Sequence, residues 1–271
     1  MTRLLLRNFL CLAVLLSNSL AGWCQNSILD PDRKGGSSVR NSTAVLILES
    51  AVSALGGASI SQVRDCVAEG TSQVYIGHAG AVEQLTIENF GSEYRYQGAR
   101  GDIIVSGHGK PIAEDHTGKR IPLSRRTVWG NISPHLVALY LYAELTDLRY
   151  SVLYGGSDTV GGRRAIVIMS SHPTGTGKHP HDSATARKWF IDASSYLPLK
   201  IEYIVPSARD GGNDAVRSVE LSNFKQVNGV LVPFQFTSFI SGQLESTTTL
   251  HTVKFNVDLP ASEFDISGGE R

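Results

Sequence analysis

The chain has 271 residues, of which 41% are hydrophobic and 18% are charged, and its 25 basic and 25 acidic side chains cancel. This composition is that of an ordinary globular protein, and all-β domains often reach this length as one unit, so a single domain is expected. Because the net charge is zero, the chain lacks the basic surplus that binds a phosphate backbone, and no nucleic-acid partner is expected.

Residues 1–25 have the pattern of a secretory signal peptide. Two arginines precede an apolar run over residues 9–16, and eight apolar residues are too few to span a bilayer. We therefore predict a cleaved signal peptide and a periplasmic or secreted protein. Residues 20–24 resemble a lipobox that a tryptophan interrupts, so a lipid anchor at Cys24 stays open as an alternative.

A polar stretch and then a helix follow the signal peptide. Residues 26–42 are rich in Pro, Gly and Ser, which predicts a flexible linker. Ser42 or Thr43 is expected to cap a helix whose apolar residues recur at helical spacing and which two glycines end. A single domain is predicted over residues 43–265, with a disordered tail at 266–271.

Most of the remaining chain consists of short strand-like runs between Gly-rich turns, and such short connections require antiparallel pairing. An exception is residues 131–147, which are apolar over a wide arc and predict a second, largely buried helix. The predicted strands cover residues 63–70, 73–77, 83–90, 94–97, 102–106, 149–154, 164–170, 218–224, 230–240 and 243–257, with hairpins around 116–118 and over 187–205.

The hairpin over residues 187–205 has the clearest alternation. Trp189 and Ile191 fall on one face of its first strand, and Phe190 falls on the other. The second strand is expected to begin at Pro198, and its residues that share one face are Leu199, Ile201, Tyr203 and Val205. This period of two predicts a sheet with one buried face and one mostly wet face.

Several short motifs, taken in order, resemble the LolA/LolB-like superfamily, and especially its secreted outer membrane lipoprotein-sorting-like members. They are Trp-Phe-Ile-Asp at 189–192, Leu-Pro-Leu-Lys at 197–200, and Phe-Lys-Gln-Val-Asn-Gly-Val at 224–230 with Pro233 closing that phrase. The likeness spans about residues 43–264. It implies a mainly β fold with α-helices: a curved antiparallel sheet, or unclosed β-barrel, with helices packed on the concave face.

The resemblance also implies a function. In carriers of that family, the cavity between sheet and helices holds lipoprotein acyl chains. Three residues are candidates for the functional arginine of such carriers, namely Arg95, Arg149 and Arg187. Fold likeness supports the architecture more than the activity, because one fold hosts many functions.

The apolar pattern points in the same direction. A long sheet with one apolar face has more apolar area than two substantial helices can cover. This predicts either a tightly closed core or a groove for an apolar ligand. Ordinary core packing is the alternative for each candidate residue. The candidate lining residues are Trp189, Ile191, Leu199, Ile201, Tyr203, Val219 and Leu221.

We therefore predict a non-catalytic carrier module of the cell envelope that binds a lipid, or the acyl group of a lipoprotein, and needs no cofactor. The alternative is an envelope regulatory protein that binds a protein partner through its loops or its open sheet edge. A third hypothesis is a metal-dependent hydrolase, since His172, His179 and His181 lie in one polar loop with Asp182. Their loose spacing is more typical of a solvated loop, so no metal site is predicted.

Overall fold

The computed structural model describes residues 38–75, 80–91, 93–98, 101–105, 111–115, 117–123, 133–172, 185–206 and 214–264. Their strands are β1 Asp65–Val74, β2 Ala81–Phe90, β3 Glu93–Gly98, β4 Gly101–Val105, β5 Ile112–Glu114, β6 Arg120–Pro122, β7 Ser151–Val160, β8 Arg163–Ser171, β9 Arg187–Asp192, β10 Pro198–Pro206, β11 Asp214–Val227, β12 Val230–Ile240 and β13 Gln243–Phe255. They form one antiparallel sheet in the order β6-β5-β4-β3-β2-β1-β13-β12-β11-β10-β9-β8-β7. The edge strands β6 and β7 do not pair with each other, so the sheet is not closed.

Two α-helices lie among the described residues, α1 at Ser42–Leu55 and α2 at Val137–Thr146. The predicted cap of α1 was one or two residues late, because the Asn41 side chain accepts the hydrogen bond from the Ala44 amide at 3.0 Å. The second predicted helix is shorter than expected, since a 3-10 turn over Pro134–Leu136 precedes α2. The start of that prediction, residues 131–132, lies outside the described residues.

Two places where we predicted that a strand ends lie instead inside long strands. The predicted strands over 63–70 and 73–77 are one strand, β1, whose register shifts between Glu69 and Gly70. Gly155 and its neighbouring glycine lie inside β7, where the register shifts between Tyr154 and Ser157. A β-bulge accommodates an extra residue without ending the strand, so a glycine there has the same sequence signature as a turn.

The end of the predicted linker over 26–42 is fixed against α2. Arg40 donates from Nη1 to the carbonyl oxygens of Glu144 and Tyr150 at 3.0 and 3.1 Å, and from Nη2 to that of Leu145 at 2.9 Å. The last carbonyls of a helix have no partner within the helix. The Arg40 guanidinium therefore satisfies groups that would otherwise be orphaned at the C-terminus of α2.

Gly56 ends α1 at a point of very close approach to the β11–β12 turn. Its φ is +137°, and a Cβ atom there would lie 2.5 Å from the Gly229 carbonyl oxygen. The turn itself forms as predicted, since Asn228 and Gly229 have the positive φ angles of +46° and +84°. Gly56 thus lets the end of α1 pack directly on the hairpin.

We expect Gly56→Ala to lower the free energy of unfolding by about 2–3 kcal/mol, because it combines backbone strain with a clash against backbone. Gly57→Ala is the matched control, since Gly57 also has a positive φ, +54°, but has nothing within 4 Å of its Cβ position. That control should cost about 1 kcal/mol. Urea denaturation of both variants measures the difference, and equal losses would contradict the clash.

Cys66 is a free thiol on β1 and is 1% exposed. Burial, with a smaller contribution from the Asp65 carboxylate, raises the pKa of this thiol to about 12. Because the thiolate is the reactive form, the thiol is held in its inert state at neutral pH.

Candidate ligand-binding cavity

The sheet lines a half-open cavity of about 610 Å³. Its described lining comes from β1–β6 and β10–β13, which are ten consecutive strands in the sheet order. Laid flat at a spacing of about 4.8 Å, ten strands would span about 43 Å, so they meet around one cavity only if the sheet curls. The predicted curved, unclosed antiparallel sheet is therefore confirmed.

The two α-helices fill one part of the concave face. Their buried residues form one apolar cluster with inward-facing residues of the sheet, from Cys66 on β1 to Val152 on β7. None of the described cavity-lining residues belongs to α1 or α2, and only Ser133 and Pro134, ahead of α2, reach the wall. The helices therefore cover part of the apolar surface and leave the rest facing the cavity.

The walls of the cavity are mostly apolar. Two buried hydroxyls there are paired with each other, since that of Thr248 lies 3.1 Å from that of Ser72. Burial raises the pKa of the Tyr94 phenol, which therefore stays neutral. The apolar and aromatic lining residues are Val74, Leu85, Ile87, Tyr94, Tyr96, Ala113, Ile121, Pro134, Tyr203, Val219 and Phe236. A volume of this size with such walls is typical of a small-molecule site.

One ion pair lies in this wall. Arg217 donates from Nη2 to a Glu245 carboxylate oxygen at 2.7 Å, and Arg217 also hydrogen-bonds to Tyr203. Strands β11 and β13 are separated by β12, so the pair bridges across one strand. A register shift opposite Ser238 and Phe239 makes Glu245 the extra residue of a bulge, and bulges re-aim side chains in this way.

Sequence reasoning missed this pair. Arg217 lies two residues before Val219, which was a predicted lining residue, and both line the cavity. Side chains two residues apart in a strand share a face, so this period of two would have identified Arg217. Glu245 gave no such signal, because the bulge breaks the alternation of β13.

The three arginines that we considered do not line the described cavity. Arg95 lies between two cavity-facing tyrosines of β3, on the opposite face, and pairs with Glu263 at 2.9 Å. Arg149 pairs with Asp147 at 2.7 Å, and its side chain is 72% exposed. Arg187 is largely buried, with its side chain 13% exposed, and pairs with Glu144 of α2 at 3.0 Å.

The predicted lining residues divide into three groups. Tyr203 and Val219 line the cavity. A second group is buried in the main core against the helices and comprises Trp189, Ile191, Ile201 and Leu221. Leu199 forms the third group, because it packs on the other side of the sheet.

The placement of Leu199 corrects our prediction that it shares a face with Ile201. The register between β9 and β10 shifts between Pro198 and Lys200, so Leu199 joins a small cluster around Phe190. That outer face is also drier than predicted, since Phe190 is only 1% exposed. The Lys200 ammonium lies 3.9 Å from the centroid of the Phe190 ring, so the lysine side chain covers that ring.

The hypothetical metal ligands are only partly within the described chain. His172 lies 3.8 Å from an Asp147 carboxylate oxygen and packs edge-on against Tyr150, whereas His179 and His181 lie outside the described residues. Within the part of the chain that the structure describes, no three His, Cys, Asp or Glu side chains form a group able to hold a metal ion.

The fold and the cavity together define a class: a half-barrel whose concave face carries helices and a ligand-sized cavity. Solved structures that share this fold include a putative outer membrane lipoprotein-sorting protein domain from Vibrio parahaemolyticus (TM-score 0.54, 11% identity, 82% of this chain and 96% of that chain). They also include a LolA superfamily protein from Nitrosomonas europaea (TM-score 0.51, 15% identity, 82% and 97%). A further one is a DUF1329 family protein from Desulfovibrio piger (TM-score 0.55, 10% identity, 83% and 98%).

The resemblance to the LolA/LolB-like superfamily is thus confirmed at the level of the fold. No family model matches the sequence, and no curated protein matches it either.

Proposed function

We propose that this protein is an exported, non-catalytic module that binds a lipid or the acyl group of a lipoprotein. The observation that carries the proposal is the cavity of about 610 Å³ on the concave face, whose walls are largely apolar and which the two helices leave uncovered. Exposed apolar surface of this kind is costly in water, and an acyl chain would remove it from water.

One further finding and one prediction support the proposal. The fold is shared with a lipoprotein-sorting domain, although shared fold does not carry activity by itself. The predicted signal peptide over residues 1–25 supports export, with a lipid anchor at Cys24 as the alternative route to the envelope. No helix among the described residues is long and apolar enough to cross a bilayer.

The proposal is tested with the exported, purified protein. Organic extraction and mass spectrometry are expected to find a co-purified lipid, and a fluorescent probe that carries an uncharged fatty-acyl ester should bind saturably. Ser238→Phe places a ring in the cavity, because Ser238 lines its wall. We expect this variant to bind the probe at least about tenfold more weakly, which corresponds to about 1.4 kcal/mol.

Thr237→Phe is the matched control, because it adds the same ring to the same strand on the opposite face. Its affinity for the probe should equal that of the unmodified protein. If no lipid is extracted and no probe binds saturably, the carrier proposal fails, and the alternative of an envelope protein with a protein partner replaces it. Equal weakening by both variants would show that the probe does not occupy this cavity.

A further inference from the structure

The cavity wall contains a salt bridge between two of its own lining residues. Arg217 and Glu245 meet at 2.7 Å, and their side chains are 20% and 24% exposed. Both residues line the cavity, as does Tyr203, which is hydrogen-bonded to Arg217. The pair therefore presents hydrogen-bond donors and an acceptor to the cavity while its two charges neutralise each other.

This arrangement disfavours an anionic ligand. A ligand carboxylate or phosphate would reach Arg217 only beside the Glu245 carboxylate, and two like charges repel strongly where water is scarce. The other charged residues of the described lining are Glu83, Glu114 and Asp115, so Arg217 is the single basic residue in that part of the wall. Of these acids, Glu114 is paired with Arg120 at 2.7 Å.

An uncharged polar group fits the same wall without breaking the pair. An ester or amide carbonyl would accept a hydrogen bond from Arg217 or Tyr203, and a hydroxyl would donate to Glu245. The side chains of Ser238 and Ser246 line the wall beside the pair and offer two more hydroxyls. Hydrogen bonds of this kind contribute more to discrimination between ligands than to overall affinity.

We propose that the Arg217–Glu245 pair determines specificity, so that the cavity selects amphiphiles with an uncharged ester, amide or hydroxyl group and rejects free fatty acids. This inference rests on the proposed function, since it names the class of acyl compound that the cavity takes. Glu245 is the residue that rejects a second negative charge, and its position depends on the β13 bulge.

Two ligands with the same chain test the inference at pH 8, monopalmitoylglycerol and palmitate, each displacing the fluorescent acyl probe. We expect monopalmitoylglycerol to bind at least about tenfold more tightly than palmitate. In Glu245→Gln, which keeps the side-chain shape but removes the charge, palmitate affinity should rise about tenfold and monopalmitoylglycerol affinity should change less than about twofold.

Glu220→Gln is the matched control, because Glu220 is an exposed residue of β11 that does not line the described cavity and whose backbone lies opposite Lys200 of β10. It should change neither affinity. A second comparison needs no variant: hexadecanol should outcompete hexadecyl sulfate, which is charged at every pH, in the unmodified protein.

The outcomes separate this inference from the proposed function. If palmitate binds as tightly as monopalmitoylglycerol, or if Glu245→Gln leaves palmitate affinity unchanged, the specificity assignment is overturned while acyl binding stands. If no acyl compound binds in the cavity, the proposed function itself is overturned.

Discussion

Replacing Arg187 with methionine is expected to lower the free energy of unfolding by about 3–5 kcal/mol, because it leaves a buried carboxylate without its counter-charge. Glu144 on α2 is 0% exposed, and its carboxylate accepts hydrogen bonds from Arg187 Nη1 at 3.0 Å and from Trp189 Nε1 at 2.8 Å. The Arg187 guanidinium also lies 4.9 Å from the centroid of the Tyr140 ring. These contacts join α2 to β9.

The control for this prediction is Arg149→Met, which removes an arginine whose side chain is 72% exposed. An exposed ion pair contributes about 1 kcal/mol or less, so this variant should be almost as stable as the unmodified protein in urea denaturation. Adding Glu144→Gln to Arg187→Met should restore much of the lost stability, because the amide removes the buried charge and keeps an acceptor for Trp189. Equal losses for the two arginine variants would contradict the buried pair as the cause.

Lowering the pH from 6.5 towards 3 is expected to destabilise the fold through His135. This imidazole is 1% exposed, and neither of its ring nitrogens has a hydrogen-bond partner among the described residues. Burial lowers the pKa of His135 from 6.5 to about 3. Between those two values the unfolded chain binds a proton at this residue and the folded protein does not, so acid favours unfolding.

The free energy of unfolding therefore does not depend on the protonation of His135 above about pH 6.5. As the pH falls from 6.5 towards 3, His135 lowers the free energy of unfolding by up to about 1.4 kcal/mol per pH unit. In His135→Leu, a side chain that fits an apolar site without a titrating group, this part of the slope should vanish. The measurement is the free energy of unfolding in urea at several pH values between 4 and 7.5.

His251→Gln is the matched control, since it removes one imidazole from an exposed position on β13. The slope of stability against pH should remain steep in that variant. A slope in His135→Leu that equals the slope of the unmodified protein would contradict the assignment. The result bears on the cavity as well, because His135 follows Ser133 and Pro134, which line the cavity wall.

The sequence was most informative where one local rule governs several residues in succession. Alternation correctly placed Trp189 and Ile191 together on one face, the one that packs with the helices, and the Asn-Gly pair at 228–229 correctly located a hairpin turn. The same rule failed at Leu199, where a bulge reverses the face of one residue. A bulge is set by the pairing of two strands, so the sequence of one strand does not reveal it.

The candidate site illustrates the same division. Tyr203 and Val219 were predicted on the inner face and do line the cavity, whereas the ion pair that gives the cavity its polar wall was missed. Arg217 and Glu245 are far apart in the sequence, and they meet across an intervening strand only because β13 carries an extra residue. Periodicity in one segment holds no information about such a meeting.

The sequence by itself thus determined a mainly β chain with two helices and one apolar sheet face, because backbone periodicity and turn chemistry act over a few residues. Tertiary structure alone decided how far the sheet curls, which part of the concave face the helices fill, and which charges meet in the remaining cavity. Those features depend on strand register and on packing between distant segments, where a shift of one residue moves a side chain to the other face.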